Sequence, residues 1–160
     1  MKQTKIEGVV NADGSQGIKD YDRGWIEALI DGEGYLSIFR RPRPLFKAKY
    51  SYSPRMGITN NDIKLLRKAR KIIGGGRIGH HSKRPTLCLE VGPNLLRIFL
   101  PKIRLITKEL NRKFLIRTLV ITKRLTVHNQ PRTDMEIRKL EIFYLKVKAL
   151  NKPRRNHEAH

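Results

Sequence analysis

Hydrophobic and polar positions follow two alternating periods along the chain. From about residue 20 to Glu33 the spacing is helical: Ile26, Leu29 and Ile30 fall on one stripe, and Trp25, Ala28 and Gly32 on a neighbouring one that shares Leu29. Asp20 or Asp22 can cap this helix, and two stripes predict burial on more than one side. The period then becomes two. Over 35–41, Leu36 and Ile38 point one way and Ser37 and Arg41 the other, before Pro42 and Pro44 mark a turn. Over 46–59, Lys47, Lys49, Ser51, Ser53 and Arg55 share one face, with Tyr50, Tyr52, Met56 and Ile58 on the other. Asn60 or Asn61 opens a second helix through Ile73, with Ile63, Leu66 and Ala69 or Arg70 at helical spacing. Gly74-Gly75-Gly76 ends it as a flexible connection; it follows a helix and lacks Gly-Lys-Ser/Thr, so it is no phosphate loop.

A second hairpin is predicted over 77–81 and 86–91, burying Leu87, Leu89 and Val91 and leaving Thr86, Cys88 and Glu90 opposite. Helices follow over 93–100, 108–125 and 134–150, the last with Ile137, Leu140, Tyr144 and Val147 as its apolar stripe. The expected layout is an irregular N-terminal extension over 1–19, one α+β domain over 20–151 and a basic tail over 152–160. Its order is helix, strand, strand, helix, strand, strand, then helices.

Charge narrows the function. Lys and Arg number 35 against 14 Asp and Glu, a formal charge of +21 over 160 residues. Such a chain attracts polyanions in a salt-sensitive way, and nucleic acid is the leading partner. The 47–55 face carries no acid at its five positions, and Arg77, His81 and Lys83 extend the same chemistry to the second hairpin. A two-stranded ribbon of this kind fits the major groove, where Arg, Lys and Ser reach base edges and phosphates. No run approaches ~18 apolar residues, and the N-terminal stretch has no signal-peptide core, so an intracellular protein with no membrane partner is expected. The lone Cys88 excludes an internal disulfide and a cysteine-clustered zinc site. His80 and His81, adjacent on a strand, point to opposite faces and do not share a site.

The sharpest chemistry lies at the end of the first helix, where Asp31-Gly32-Glu33-Gly34 places two carboxylates at the negative end of a helix dipole. They are electrostatically disfavoured there unless a cation compensates them. Such an oxygen-rich end suits Mg²⁺, which is commonly held by one or two carboxylates plus substrate phosphates.

Residues 26–34 resemble the nine-residue motif of the LAGLIDADG homing endonucleases, in the variant that ends Asp-Gly-Glu-Gly. Leu29 to Gly34 fit; Ile26 replaces the opening Leu, and Glu27 and Ala28 stand where the family has Ala-Gly. The resemblance implies an αββαββα core with a curved antiparallel saddle over DNA, in the single-motif form that works as an intron-encoded type of homodimer. Trp25, Ala28, Leu29 and Gly32 would then pack across the two-fold axis, and each copy would help cut a long pseudo-palindromic site. It also implies Glu33 as the Mg²⁺ ligand, with the Gly32 carbonyl as a second ligand and Asp31 in a structural role. Asn60 is the match for a polar residue at the end of the second strand that orders active-site water, alongside its capping role. Lys113, chosen over Lys108, is the match for a basic residue near the start of the later long helix.

Two other readings stay open. A basic RNA-binding or ribosomal-type protein shares the charge but leaves the acidic motif unexplained. A regulator or intron maturase would keep the fold and bind DNA or intron RNA without cutting. The implied location is the cytoplasm of a prokaryote or an organelle of a eukaryote.

Overall fold

The computed structural model describes residues 17–45, 49–80, 85–128 and 132–152, without the side chains of 124–128. Helix α1 (Asp20–Glu33) leads into strands β1 (Gly34–Pro42) and β2 (Tyr50–Asn60). Helix α2 (Ile63–Ile73), strands β3 (Arg77–His80) and β4 (Leu87–Val91), and helices α3 (Pro93–Phe99), α4 (Glu109–His128) and α5 (Asp134–Leu150) follow. The four strands form one antiparallel sheet in the order β1-β2-β4-β3. This is the α+β, αββαββα saddle expected from the sequence, with added C-terminal helices.

The described helices lie on one side of the sheet, because the buried apolar side chains of the strands all point to one face. Leu36 and Ile38 from β1, Tyr52, Met56 and Ile58 from β2, and Leu89 and Val91 from β4 meet Ile26, Ile30, Leu66, Phe99, Leu115 and Leu140 in one buried core. Burial of this apolar area is the main stabilising contribution. A short 3₁₀ turn, Leu100–Lys102, absorbs Pro101, and the extended stretch behind it buries Ile103 and Leu105.

Several local expectations change. Neither Asp20 nor Asp22 caps α1: Lys19 occupies the cap position and both acids lie in the first turn. Only Ile26 and Ile30 of α1 are fully buried; of the second stripe, Trp25 and Leu29 pack partly buried against the core, and Ala28 and Gly32 are exposed. The cap of α2 is Asp62, not Asn60 or Asn61; its carboxylate accepts from Lys64 N at 2.8 Å and Leu65 N at 3.3 Å. β2 starts at Tyr50 rather than 46, and Lys49 sits before it at φ 53 while its carbonyl accepts from Arg43 N. Gly74, Gly75 and Gly76 have φ of 90, 154 and 116, which makes the predicted flexible connection a defined left-handed turn. A Cβ on Gly76 would stand 2.9 Å from the Glu90 carbonyl oxygen. Helix α5 carries a full capping box between Thr133 and Glu136. The outer parts of the proposed extension and tail, 1–16 and 153–160, fall outside the described residues.

Candidate active site and nucleic-acid face

The end of α1 separates its two acids. Asp31 turns toward the segment that enters α4, where its carboxylate accepts from Ile106 N (2.6 Å), Thr107 N (3.2 Å), Thr107 Oγ1 (2.9 Å) and Lys108 N (3.1 Å). Burial alone would raise its pKa; these hydrogen bonds outweigh that and hold it below the usual value. Glu27 accepts from Arg104 N and Glu109 from Leu105 N, so five consecutive amides, 104–108, each meet a carboxylate. The Arg112 guanidinium, in turn, grips Glu109 and pulls its pKa down to about 2.

The cation required at this negative helix end is Lys108. Its Nζ donates to the carbonyls of Ile30, at 2.9 Å, and Asp31. Partial burial lowers its pKa, while the Asp31 charge works the other way. Lys113 lies elsewhere on α4: its Nζ is 3.9 Å from Glu109, and its side chain is half exposed. Of the two lysines weighed from the sequence, the one that reaches the motif is therefore Lys108.

Glu33 faces the other way, exposed where β1 begins and β2 ends. Asn60 Nδ2 donates to Glu33 Oε2 at 2.5 Å, and Asn60 Oδ1 accepts from Asp62 N at 2.7 Å. The two residues matched to catalytic roles thus meet, and Asn60 is held from behind by the start of α2. Gly32 lies in the same exposed last turn of α1, with nothing beyond its own helix backbone within 4 Å of where a Cβ would be. Among the described residues, no three His, Cys, Asp or Glu side chains gather as a self-sufficient metal cage. One exposed carboxylate per chain does fit the way Mg²⁺ is usually held, with phosphates and water completing its shell.

The open face of the sheet carries the other predicted residues. Ser37, Arg41, Ser51, Ser53 and Arg55 share it, since Ser37 pairs with Arg55 and Arg41 with Ser51. Arg77 joins them from β3 opposite Glu90. Lys49 lies in the turn at the end of this face, and Lys47, His81 and Lys83 fall outside the described residues. Sequence reasoning missed how Tyr35 lies on this face. A Cβ on Gly57 would stand 2.2 Å from the Tyr35 ring, so only glycine lets the ring lie across β2. Burial first, then the neighbouring Cys88 and Glu90, push the phenol up to about 12. The available signal was a lone glycine, Gly57, inside a strand pattern, which marks a close approach.

The residues proposed for a two-fold contact lie on the outer side of α1. Ala28 and Gly32 are exposed, and Trp25 and Leu29 are half-buried. Lys68 of α2 stacks on the Trp25 ring at 4.1 Å. On the opposite flank, α5 is locked to the sheet: Arg40 pairs with Glu141 at 2.7 Å, Tyr52 also donates to Glu141, and Asn151 Nδ2 donates to the Leu36 carbonyl. No helix among the described residues is long and apolar enough to cross a membrane.

No protein-family model and no curated protein matches the sequence. Solved structures do match the fold. The homing endonuclease I-CvuI, solved in complex with a DNA target, superposes with a TM-score of 0.71 at 15% identity, over 86% of this chain and 88% of that one. The homing endonuclease I-TnaI superposes at 0.64 with 22% identity, over 80% and 94%. I-SmaMI bound to uncleaved DNA superposes at 0.68 with 17% identity, over 84% of this chain and 47% of its own. Element order, strand order and these superpositions agree: the chain has the saddle fold of the LAGLIDADG homing endonucleases.

Proposed function

We propose that the chain is a site-specific homing endonuclease that binds duplex DNA on the open face of its sheet. As a homodimer joined through α1, it makes a Mg²⁺-dependent double-strand cut in a long pseudo-palindromic site. The observation that carries this reading is the division of labour at the end of α1. Asp31 and Lys108 anchor the helix, which leaves Glu33 exposed beside Asn60 at one end of a cationic sheet.

Each residue then has a defined task. Glu33, with the Gly32 carbonyl, holds the cation, and Asn60 fixes the carboxylate's orientation through its Nδ2. Bound Mg²⁺ supplies charge neutralisation at the scissile phosphate and a more acidic water. Lys108 provides the positive charge at the motif and takes the place of Lys113 as the basic residue near the start of the long helix that orders active-site water. Arg41, Arg55 and Arg77 contact phosphates and base edges, and the serines between them offer both donor and acceptor. The outer stripe of α1, small at Ala28 and Gly32, lets a second copy approach closely. A two-fold axis there brings two Glu33 carboxylates to one DNA duplex.

The test is cleavage of a randomised duplex library with Mg²⁺ and with EDTA, followed by sequencing of the cut ends. Metal-dependent cuts within one long, roughly palindromic sequence are expected. Tight binding of such a sequence without cutting, in either condition, would leave a regulator or maturase instead.

A further inference from the structure

Phe39 departs from the chemistry of the open face. Along β1 that face presents Tyr35, Ser37, Phe39 and Arg41, opposite Gly57, Arg55, Ser53 and Ser51 of β2. Tyr35 is folded down over Gly57, but Phe39 stands 43% exposed among hydroxyl and guanidinium groups. The Arg55 guanidinium lies 5.2 Å from its ring centroid, diagonally across the pair of strands. Arg55 Nε is itself buried without a hydrogen-bond partner. A cation–π contact of this kind restricts the arginine's geometry. Ring and guanidinium therefore form one unit in the middle of the basic surface.

A phenyl ring can neither donate nor accept a conventional hydrogen bond. Against the major-groove edge of adenine, guanine or cytosine it would desolvate polar atoms without replacing their partners. Thymine alone among the four bases presents an apolar group there, its 5-methyl. Building on the DNA-binding reading above, we propose that Phe39 is a specificity residue that packs on a thymine methyl, while the stacked Arg55 reads a guanine beside it. Were Phe39 only a platform for Arg55, its loss would affect the guanine preference and no methyl group would matter.

The test uses the duplex that the protein itself selects from a randomised library. Each thymine is replaced singly by deoxyuridine, and binding is measured in EDTA. At least one such replacement should weaken binding about fourfold, the effect of losing one buried methyl. That sensitivity should vanish in Phe39→Ser and persist in Phe39→Leu, which keeps an apolar side chain. Indifference of the unaltered protein to deoxyuridine at every position overturns the proposal, whether or not the variants fold. So does Phe39→Ser with undiminished sensitivity. A protein that selects and cuts one sequence yet ignores every methyl refutes the thymine contact alone; one that selects no sequence refutes the DNA reading with it.

Discussion

The two sides of the end of α1 hold acids two residues apart in opposite situations. On the α4 side Asp31 is saturated by three backbone amides and a hydroxyl; on the sheet side Glu33 is exposed and meets one amide group. The first arrangement suits anchoring, since a carboxylate that already accepts four hydrogen bonds, three of them on Oδ1, has little acceptor capacity left to offer an ion. The second keeps acceptor capacity free. One short motif can thus fix a helix with one acid and keep the other open because its turn directs alternate carboxylates to different neighbours.

The largest effect should come from Glu33→Gln, which is expected to reduce cleavage to background while thermal unfolding and DNA affinity stay near their original values. Cutting and binding assays on the same duplex check this; full activity in the variant would erase the distinction. Asp31→Ala should do the reverse in kind, removing the multiple cap at the entry to α4 at a cost of about 2 kcal/mol. In a chain of this size that corresponds to a Tm lowered by about 4–8 °C in calorimetry. Lys108→Met should be milder for stability, about 0.5–1 kcal/mol, by removing the charge from the helix end. It should also slow cleavage, whereas Lys113→Met should change cutting little; equal losses would break the assignment of the basic role.

Acid sharpens the same contrast more gently. Glu109 has its pKa lowered from 4.5 to about 2 by Arg112, and Asp31 is lowered from 3.8. A depressed folded pKa means stability that is full above the unfolded value and lost as pH falls through the folded one. The α1–α4 junction should therefore weaken between roughly pH 4.5 and 2. Thermal unfolding across that window should show a shallower slope for Glu109→Gln, and an unchanged slope would remove Glu109 from the α1–α4 junction.

Much of the fold was legible because each strand has one apolar face. Leu36, Ile38, Met56 and Ile58 fix which side of the sheet the helices cover, and α5 begins and ends where its apolar stripe predicts, its start closed by the Thr133–Glu136 capping box. That Glu33 and Asn60 lie side by side was legible, because position relative to a motif and a strand end survives without coordinates. The choice between Lys108 and Lys113 was not. Both lie near the start of α4, and only the bend at 103–108, set by carboxylates from α1, decides which one reaches the carbonyls of Ile30 and Asp31. The caps were missed for a similar reason. Asn60, Asn61 and Asp62 are all good capping residues, and the competition was resolved by Glu33 engaging Asn60 and leaving Asp62 to the helix.

The Tyr35 ring over Gly57 has a consequence for anyone who would retarget this surface by combinatorial mutagenesis. Randomising position 57 alone would sample almost nothing, because any side chain there collides with the ring. Positions 35 and 57 form a single letter of the design alphabet. A small residue at 35 frees 57 to carry a side chain, and libraries that vary the two together would explore recognition chemistry that neither position reaches by itself.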